Sequence, residues 1–367
     1  MCTENIVLKG LTLLNDQHIL RYFLGGNTSD GFYSLYDGFV SQKDGDFLWI
    51  IKGGAGCGKS SFMRRIGAAG ERAGYSVEYA VCSGDPDSLD GVYIPELKIA
   101  YMDGTAPHVT DAKIAAVDSA YIDLGAFYQR EALAGHKAEL EKLTADAKAQ
   151  YVKAYSLLSA AGSLRMGWQE KLASGDERQA ALARVKSLAQ REFGKKTRAQ
   201  GKIKKRFISA LTCKGLVTLP ELSENLCTRM YTFENRYLLG NAAISCLAEA
   251  AASAGYDVIL CPDPLTPELL EALFVPALSL GFKCGGRGTG SSIKGRNIRL
   301  DRSVGSGKRR ELRACEHLCE GLRSEAYASL LEAKRLHDAI EGIYNPNVDF
   351  DGVYELVAKH IAQLGLK

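Results

Sequence analysis

Trp49-Ile50-Ile51-Lys52-Gly53-Gly54-Ala55-Gly56-Cys57-Gly58-Lys59-Ser60-Ser61 decides how the chain is read. It has the spacing G-x-x-x-x-G-K-[ST], with Gly53, Gly58, Lys59 and Ser60 in the fixed places. Before it, Phe47-Leu48-Trp49-Ile50-Ile51 is a short apolar run suited to a buried parallel strand. After it, Phe62, Met63, Ile66 and Ala69 recur at helical intervals, with Arg64, Arg65 and Arg72 off that face. The expected order is strand, glycine loop, helix.

The residue types have a chemical reason. A triphosphate needs many N–H donors and a nearby positive charge. Glycines allow φ > 0 and let the backbone approach phosphate oxygens with no Cβ between. The N–H groups of 53–61 then converge at the positive end of the following helix. Lys59 is placed to reach the β- and γ-phosphates and the Ser60 hydroxyl to ligate Mg²⁺. The competing reading is a glycine-rich turn with a chance lysine.

The chain has 367 residues, 46% apolar and 24% charged, which is an ordinary globular composition with room for two domains. No apolar run is long enough for a membrane span, and the first residues lack the pattern of a secretory signal. Ten cysteines are scattered, with no C-x-x-C pair. Cys315 and Cys319, with His317 between them, lack further spaced ligands, so core packing is preferred to a metal site. A reduced, cytoplasmic setting is expected. The net charge of +3 does not by itself call for a nucleic acid.

Along the chain, 75–82 reads as a second strand, and 83–90 as a polar loop where open α/β sheets place ligands. Residues 98–105 read as a further strand ending in Asp103, a carboxylate able to hold Mg²⁺. From 111 to 206 the composition turns helical, with long helices over 136–158 and 177–193 forming a hairpin. Its end is basic: Arg184, Lys186, Arg191, Lys195, Lys196, Arg198, Lys202, Lys204, Lys205 and Arg206. The segment 184–206 could meet a protein or nucleic-acid partner, or simply be a solvated helix face. Helices are also expected over 307–343 and 353–364.

The second half echoes the first. Arg21-Tyr22-Phe23, Thr28 and Gly31 return as Arg206-Phe207, Thr212 and Gly215. Ala73-Gly74-Tyr75 returns as Ala254-Gly255-Tyr256, Asp85-Pro86 as Asp263-Pro264, and Pro95 as Pro276. Ordered matches of this kind suggest an internal duplication. Counting back from Gly255 places Gly240 where Lys59 stands, in a loop, Glu234-Asn235-Arg236-Tyr237-Leu238-Leu239-Gly240-Asn241, with one glycine and no lysine. Tyr237 and Leu238 are expected to disfavour φ > 0 and block a phosphate cradle. The stretch 284–296 could supply Arg287 or Lys294 to a phosphate, or be a loop without that role.

With these residues in view, the chain resembles the P-loop NTPase superfamily, and 53–61 is its Walker A pattern. More narrowly it resembles an uncharacterised bacterial ATPase-like family with two P-loop halves, through Leu89-Asp90-Gly91-Val92 and Asp103-Gly104-Thr105-Ala106-Pro107-His108. The resemblance implies an α/β fold: a P-loop-like parallel sheet flanked by helices, duplicated, each half carrying a helical hairpin. The division is 1–205, with an insertion at about 111–205, and 206–367. It also implies ATP and Mg²⁺ bound at 53–61, with Ser60 and Asp103 on the metal. Lys59 and Asp103 are the leading catalytic candidates, with Asp85, Glu96 and His108 as candidate bases. No [NT]-K-x-D guanine-reading sequence occurs, which favours ATP. An ATPase, a small-molecule or nucleotide kinase and a slow nucleotide sensor all remain open.

Overall fold

The computed structural model describes residues 19–107, 109–194, 199–285 and 293–366. The first sheet contains β1 (Ile19–Phe23), β4 (Phe47–Lys52), β5 (Val77–Val81), β6 (Leu89–Ile94), β7 (Ile99–Asp103) and β8 (Ser119–Asp123). Their spatial order is β1-β5-β6-β7-β4-β8. A small hairpin, β2 (Gly25–Thr28) and β3 (Gly31–Ser34), follows β1, and α1 (Lys59–Arg72) follows β4. α1 seats Phe62, Met63 and Ile66 in the core with no exposure. Each such side chain contributes about 2 kcal/mol of burial.

The second sheet repeats this plan. It contains β9 (Ile203–Lys205), β12 (Arg229–Phe233), β13 (Val258–Pro262), β14 (Leu270–Val275), β15 (Leu280–Cys284) and β16 (Lys294–Ile298). Read from β9, the order is β9-β13-β14-β15-β12-β16, strand for strand that of the first sheet. The hairpin of β10 (Ser209–Thr212) and β11 (Gly215–Thr218) matches β2–β3, and α6 (Leu239–Ser253) matches α1. The short α5 (Glu221–Leu226) packs across β1. Even the turns agree. Thr28 Oγ1 donates to the Gly31 carbonyl and Thr212 Oγ1 to that of Gly215, both at 2.9 Å.

The sheets are mixed, not parallel as expected. β6 runs antiparallel to β5 and β7, and β14 likewise to β13 and β15. β6 escapes the sequence pattern because all six of its residues are buried, Asp90 and Gly91 included, so no alternation appears. Asp90 is tolerated there because Tyr36 donates to its carboxylate at 2.5 Å. Gly91 is needed because a Cβ would lie 2.9 Å from the Phe39 ring.

The helices also differ from expectation. The halves do not each fold a hairpin of their own. The short α2 (Arg130–Ala134) leads into α3 (Lys137–Leu164), which pairs with α7 (Arg309–Tyr344) of the other half. The thiols of Cys315 and Cys319 meet the carbonyls of Leu164 and Ala161, so the pair is antiparallel. Small buried residues, Ala154, Ala161 and Gly162 against Ala326, Ser329 and Ala333, leave room for this close contact. The closing helices are exchanged as well. α4 (Gly175–Phe193) buries Ala181, Val185 and Leu188 with α6 and the second sheet, whereas α8 (Phe350–Gln363) packs on α1 of the first. Among the described residues, no helix is long and apolar enough to cross a membrane.

Candidate functional site

The loop between β4 and α1 is built as its glycines require. Gly53, Gly56 and Gly58 have φ of 154°, 69° and 88°, a backbone that side chains rarely adopt. At Gly53 a Cβ would lie 2.6 Å from Cys57 Sγ, and at Gly56 it would lie 2.5 Å from Asn345 Oδ1. Cys57 is buried and donates to the Gly54 carbonyl at 3.2 Å. Burial pushes its thiol pKa up, so it is a packing residue here rather than a nucleophile.

Lys59 opens α1 and folds back over the loop. Its Nζ donates to the carbonyls of Gly53 at 2.8 Å and Gly54 at 2.7 Å, and lies 3.7 Å from Asp103 Oδ2. Both side chains of that ion pair are 13% exposed. Asp103 ends β7 beside β4, paired in register with Ile51, which is how two distant stretches meet. Its Oδ1 accepts from the backbone N–H of Thr105 at 2.8 Å and the Thr105 hydroxyl at 2.6 Å. Position 104 has no room for a side chain, since a Cβ would lie 2.3 Å from Ile50 Cγ2.

Ser60, in the first turn of α1, accepts from the Leu89 N–H at 3.0 Å, tying the helix start to β6. Ser61 follows it, exposed. Asp85 lies in the turn before β6, bonded to Ser88 Oγ at 3.0 Å and 3.4 Å from Lys334 Nζ of α7. Arg64 also reaches this turn, donating to the Asp87 carbonyl at 2.6 Å. Ser60 and Asp103 are hard oxygen donors of the kind Mg²⁺ takes, and both adjoin Lys59.

Glu96, proposed as a base, is not at this site. It sits where β6 turns into β7, the end opposite Asp103, and accepts from the Ser76 N–H at 3.1 Å. His108 lies outside the described residues, as do Arg287, Lys195, Lys196 and Arg198. Arg206 is not part of an exposed basic patch: it is 2% exposed and donates to the carbonyls of Gly38, Lys205 and Phe39. Arg191 pairs with Glu192, and Lys202 with Asp44. Arg184, Lys186, Lys204 and Lys205 are exposed.

Several groups at the loop leave no sequence signal. The Tyr128 hydroxyl donates to the Ala55 carbonyl at 2.7 Å, and Asn345 closes on Gly56 from the end of α7. Tyr128 follows the turn after β8 and Asn345 caps α7, both far from the loop in sequence, so only the tertiary fold brings them here. Thr105 was legible in principle, because Asp-Gly-Thr favours the side-chain turn it makes.

The second half carries the equivalent loop with different side chains. Cys284 takes the register position of Asp103, paired with Phe233 as Asp103 is with Ile51. The count from Gly255 puts Gly240 at the place of Lys59, but it is Leu239 that opens α6 as Lys59 opens α1; a Cβ at the following Gly240 would lie 3.0 Å from Cys284 Sγ. Leu238 does adopt φ > 0, at 57°, contrary to the expectation for a bulky side chain. It is 2% exposed, so packing holds it in a conformation costing about 1 kcal/mol. No protein-family model matches the chain, and no curated protein or solved structure matches it.

Proposed function

We propose that this chain binds ATP with Mg²⁺ at 53–61 and hydrolyses it. The observation that carries the reading is Lys59, held between the carbonyls of Gly53 and Gly54 and the carboxylate of Asp103. Its positive charge is set at the loop before any ligand arrives. A triphosphate would take over its donors, leaving Asp103 and Ser60 to hold Mg²⁺, which neutralises phosphate charge when bound.

The exchange of helices supports a conformational role for turnover. Asn345 and Lys334 carry the loop's surroundings into α7, and α7 runs on into the other half. A second reading, phosphotransfer to a small molecule, is favoured by Gly104, where an ATPase would suit a glutamate. The deciding experiment measures ATP consumption by the purified protein with and without a panel of metabolites and nucleic acids. Hydrolysis without an acceptor supports the first reading, and consumption only with an acceptor supports the second. Loss of neither binding nor turnover in Lys59→Ala would rule out the site.

A further inference from the structure

A cavity of about 1030 Å³ lies beside the second half's loop, closed on one side by Arg165 and Gln169 after α3. Its walls are the loop residues Glu234 and Arg236, the turn carrying Asp263, the segment after β16 and the start of α7. The volume is at the upper end of the range for small-molecule sites. Its chemistry comes from the other walls rather than from the loop.

Arg302, Arg309 and Arg313 line the cavity, and among the described residues none has a carboxylate partner. The other cavity arginines are paired: Arg165 with Asp263, Arg236 with Glu316 and Arg323 with Glu320. Against the three uncompensated guanidinium groups stand Glu234, Glu271 and Asp301, so that over the whole lining six arginines face five carboxylates. Arg309 and Arg313 also occupy the first turns of a long helix, the positive end of its dipole.

A second observation points to a missing partner. Among the described residues, Glu271 Oε2, Asp301 Oδ1 and Arg323 Nε are closed to solvent and have no hydrogen-bond partner, although the other oxygen of Asp301 accepts from the Arg236 N–H. All three residues line this cavity. Folded proteins rarely leave such atoms unmatched without a ligand or ordered water. Burial, with the charge of Asp263 beside it, pushes the Glu271 carboxyl up to about 8. At neutral pH it therefore carries a proton and can donate to an acceptor oxygen.

We propose that this cavity binds a phosphorylated small molecule, gripped by Arg302, Arg309 and Arg313 and needing no Mg²⁺. Guanidinium forks match phosphate oxygens two at a time, whereas nothing at Gly240 or Cys284 can hold a metal-bound triphosphate. The site is a separate one. From Glu316 at this cavity to Asn345 at the first loop, a helix rising about 1.5 Å per residue covers about 40 Å. That separation excludes direct phosphoryl transfer between them. The proposal does not rest on ATP hydrolysis at the first site.

Titration calorimetry of the full chain in EDTA, with inorganic pyrophosphate as probe and citrate as comparator, tests it. The Lys59→Ala protein is expected to bind pyrophosphate at one site. Adding Arg309→Ala and Arg313→Ala, both exposed positions, is expected to weaken binding at least tenfold with an unchanged circular-dichroism spectrum. Absence of binding to Lys59→Ala, or equal affinity with and without the arginines, overturns the proposal. Tighter binding of citrate than of pyrophosphate overturns the phosphate assignment.

Discussion

Phe23 and Phe207 hold one another by the backbone: Phe23 N donates to Phe207 O at 2.9 Å, and Phe207 N to Phe23 O at 3.0 Å. These are the same residue of the two repeats, so an approximate twofold axis passes between them. Other pairs follow it. Asp85 of the first half meets Lys334 from α7, and Asp263 of the second meets Arg165 from the end of α3. Each half's long helix thus delivers a cation to the other half's aspartate.

Arg206 lies beside this axis, and its guanidinium stacks 4.7 Å above the Tyr22 ring while bonding three carbonyls. Arg206→Ala is expected to destabilise the protein by about 3 kcal/mol, because those carbonyls stay buried without a donor. Urea unfolding followed by circular dichroism measures it. A change under 1 kcal/mol would mean that water replaces the arginine.

For the first site, Lys59→Ala is expected to weaken ATP binding by about 10- to 100-fold, the range for losing a charge-assisted contact. Asp103→Asn is expected to lower Mg²⁺-dependent turnover about 100-fold while affecting affinity less. Fluorescent-nucleotide titration and a phosphate-release assay separate the two effects. Unchanged turnover in Asp103→Asn would shift attention to Asp85.

The loop, its strand and its helix were legible because glycine spacing and apolar periodicity are local. The repeat was legible too, in pairs such as Thr28 with Thr212, since identical turns demand identical residues. β6 was not, because burial on both faces erased its pattern. Nor was the pairing of α3 with α7, for nothing local in Ala154 or Ala161 says which helix will cover it. Arg206 looked like one more surface cation, and only the fold shows the carbonyls that surround it.

The buried pair Arg165–Asp263 is bidentate, at 2.6 and 2.8 Å. Burial opposes the charge of Asp263, but Arg165 and the N–H groups of Leu265 and Thr266 outweigh it and hold the carboxyl below its usual range. Arg165→Ala is expected to cost about 3–5 kcal/mol, and replacement of both residues by an apolar pair much less. A depressed carboxyl stabilises above its unfolded pKa of about 3.9 and loses that contribution as pH falls through the folded value. Acid unfolding of the double variant should therefore shift to lower pH than that of the parent, and the same midpoint would contradict this.

Glu271 has the opposite sign. Its folded pKa of about 8 lies above the unfolded value of about 4.3. Its contribution is therefore complete below about pH 4.3 and fades as pH rises through about 8. The parent should lose on the order of a few kcal/mol across that window relative to Glu271→Gln. Calorimetric melting at pH 5, 6, 7 and 8 tests it: the two curves should diverge with rising pH, with the variant the more stable, and parallel curves would refute it.

Mg²⁺-dependent nucleotide binding is expected to saturate at one per chain, although the fold contains the same loop position twice. The two loops sit between equivalent strands and helices, and both turn through φ > 0 just before the helix, at Gly58 and at Leu238. The geometry of the turn therefore does not distinguish them. Their chemistry does. Where the first half sets Lys59 3.7 Å from Asp103, the second opens its helix with the buried Leu239 and has Cys284 at the place of Asp103. Where Ser60 offers a hydroxyl, the second residue of α6 is Gly240, and the next, Asn241, is fully buried and spends its amide on the Leu270 carbonyl at 2.9 Å and on Asn235. Neither a phosphate-directed ammonium nor a free oxygen for Mg²⁺ remains. Titration of a non-hydrolysable ATP analogue in excess Mg²⁺ should give a stoichiometry of one that Lys59→Ala removes and Arg309→Ala leaves intact. A Mg²⁺-dependent stoichiometry of two would mean that the second loop supplies a cradle without its lysine.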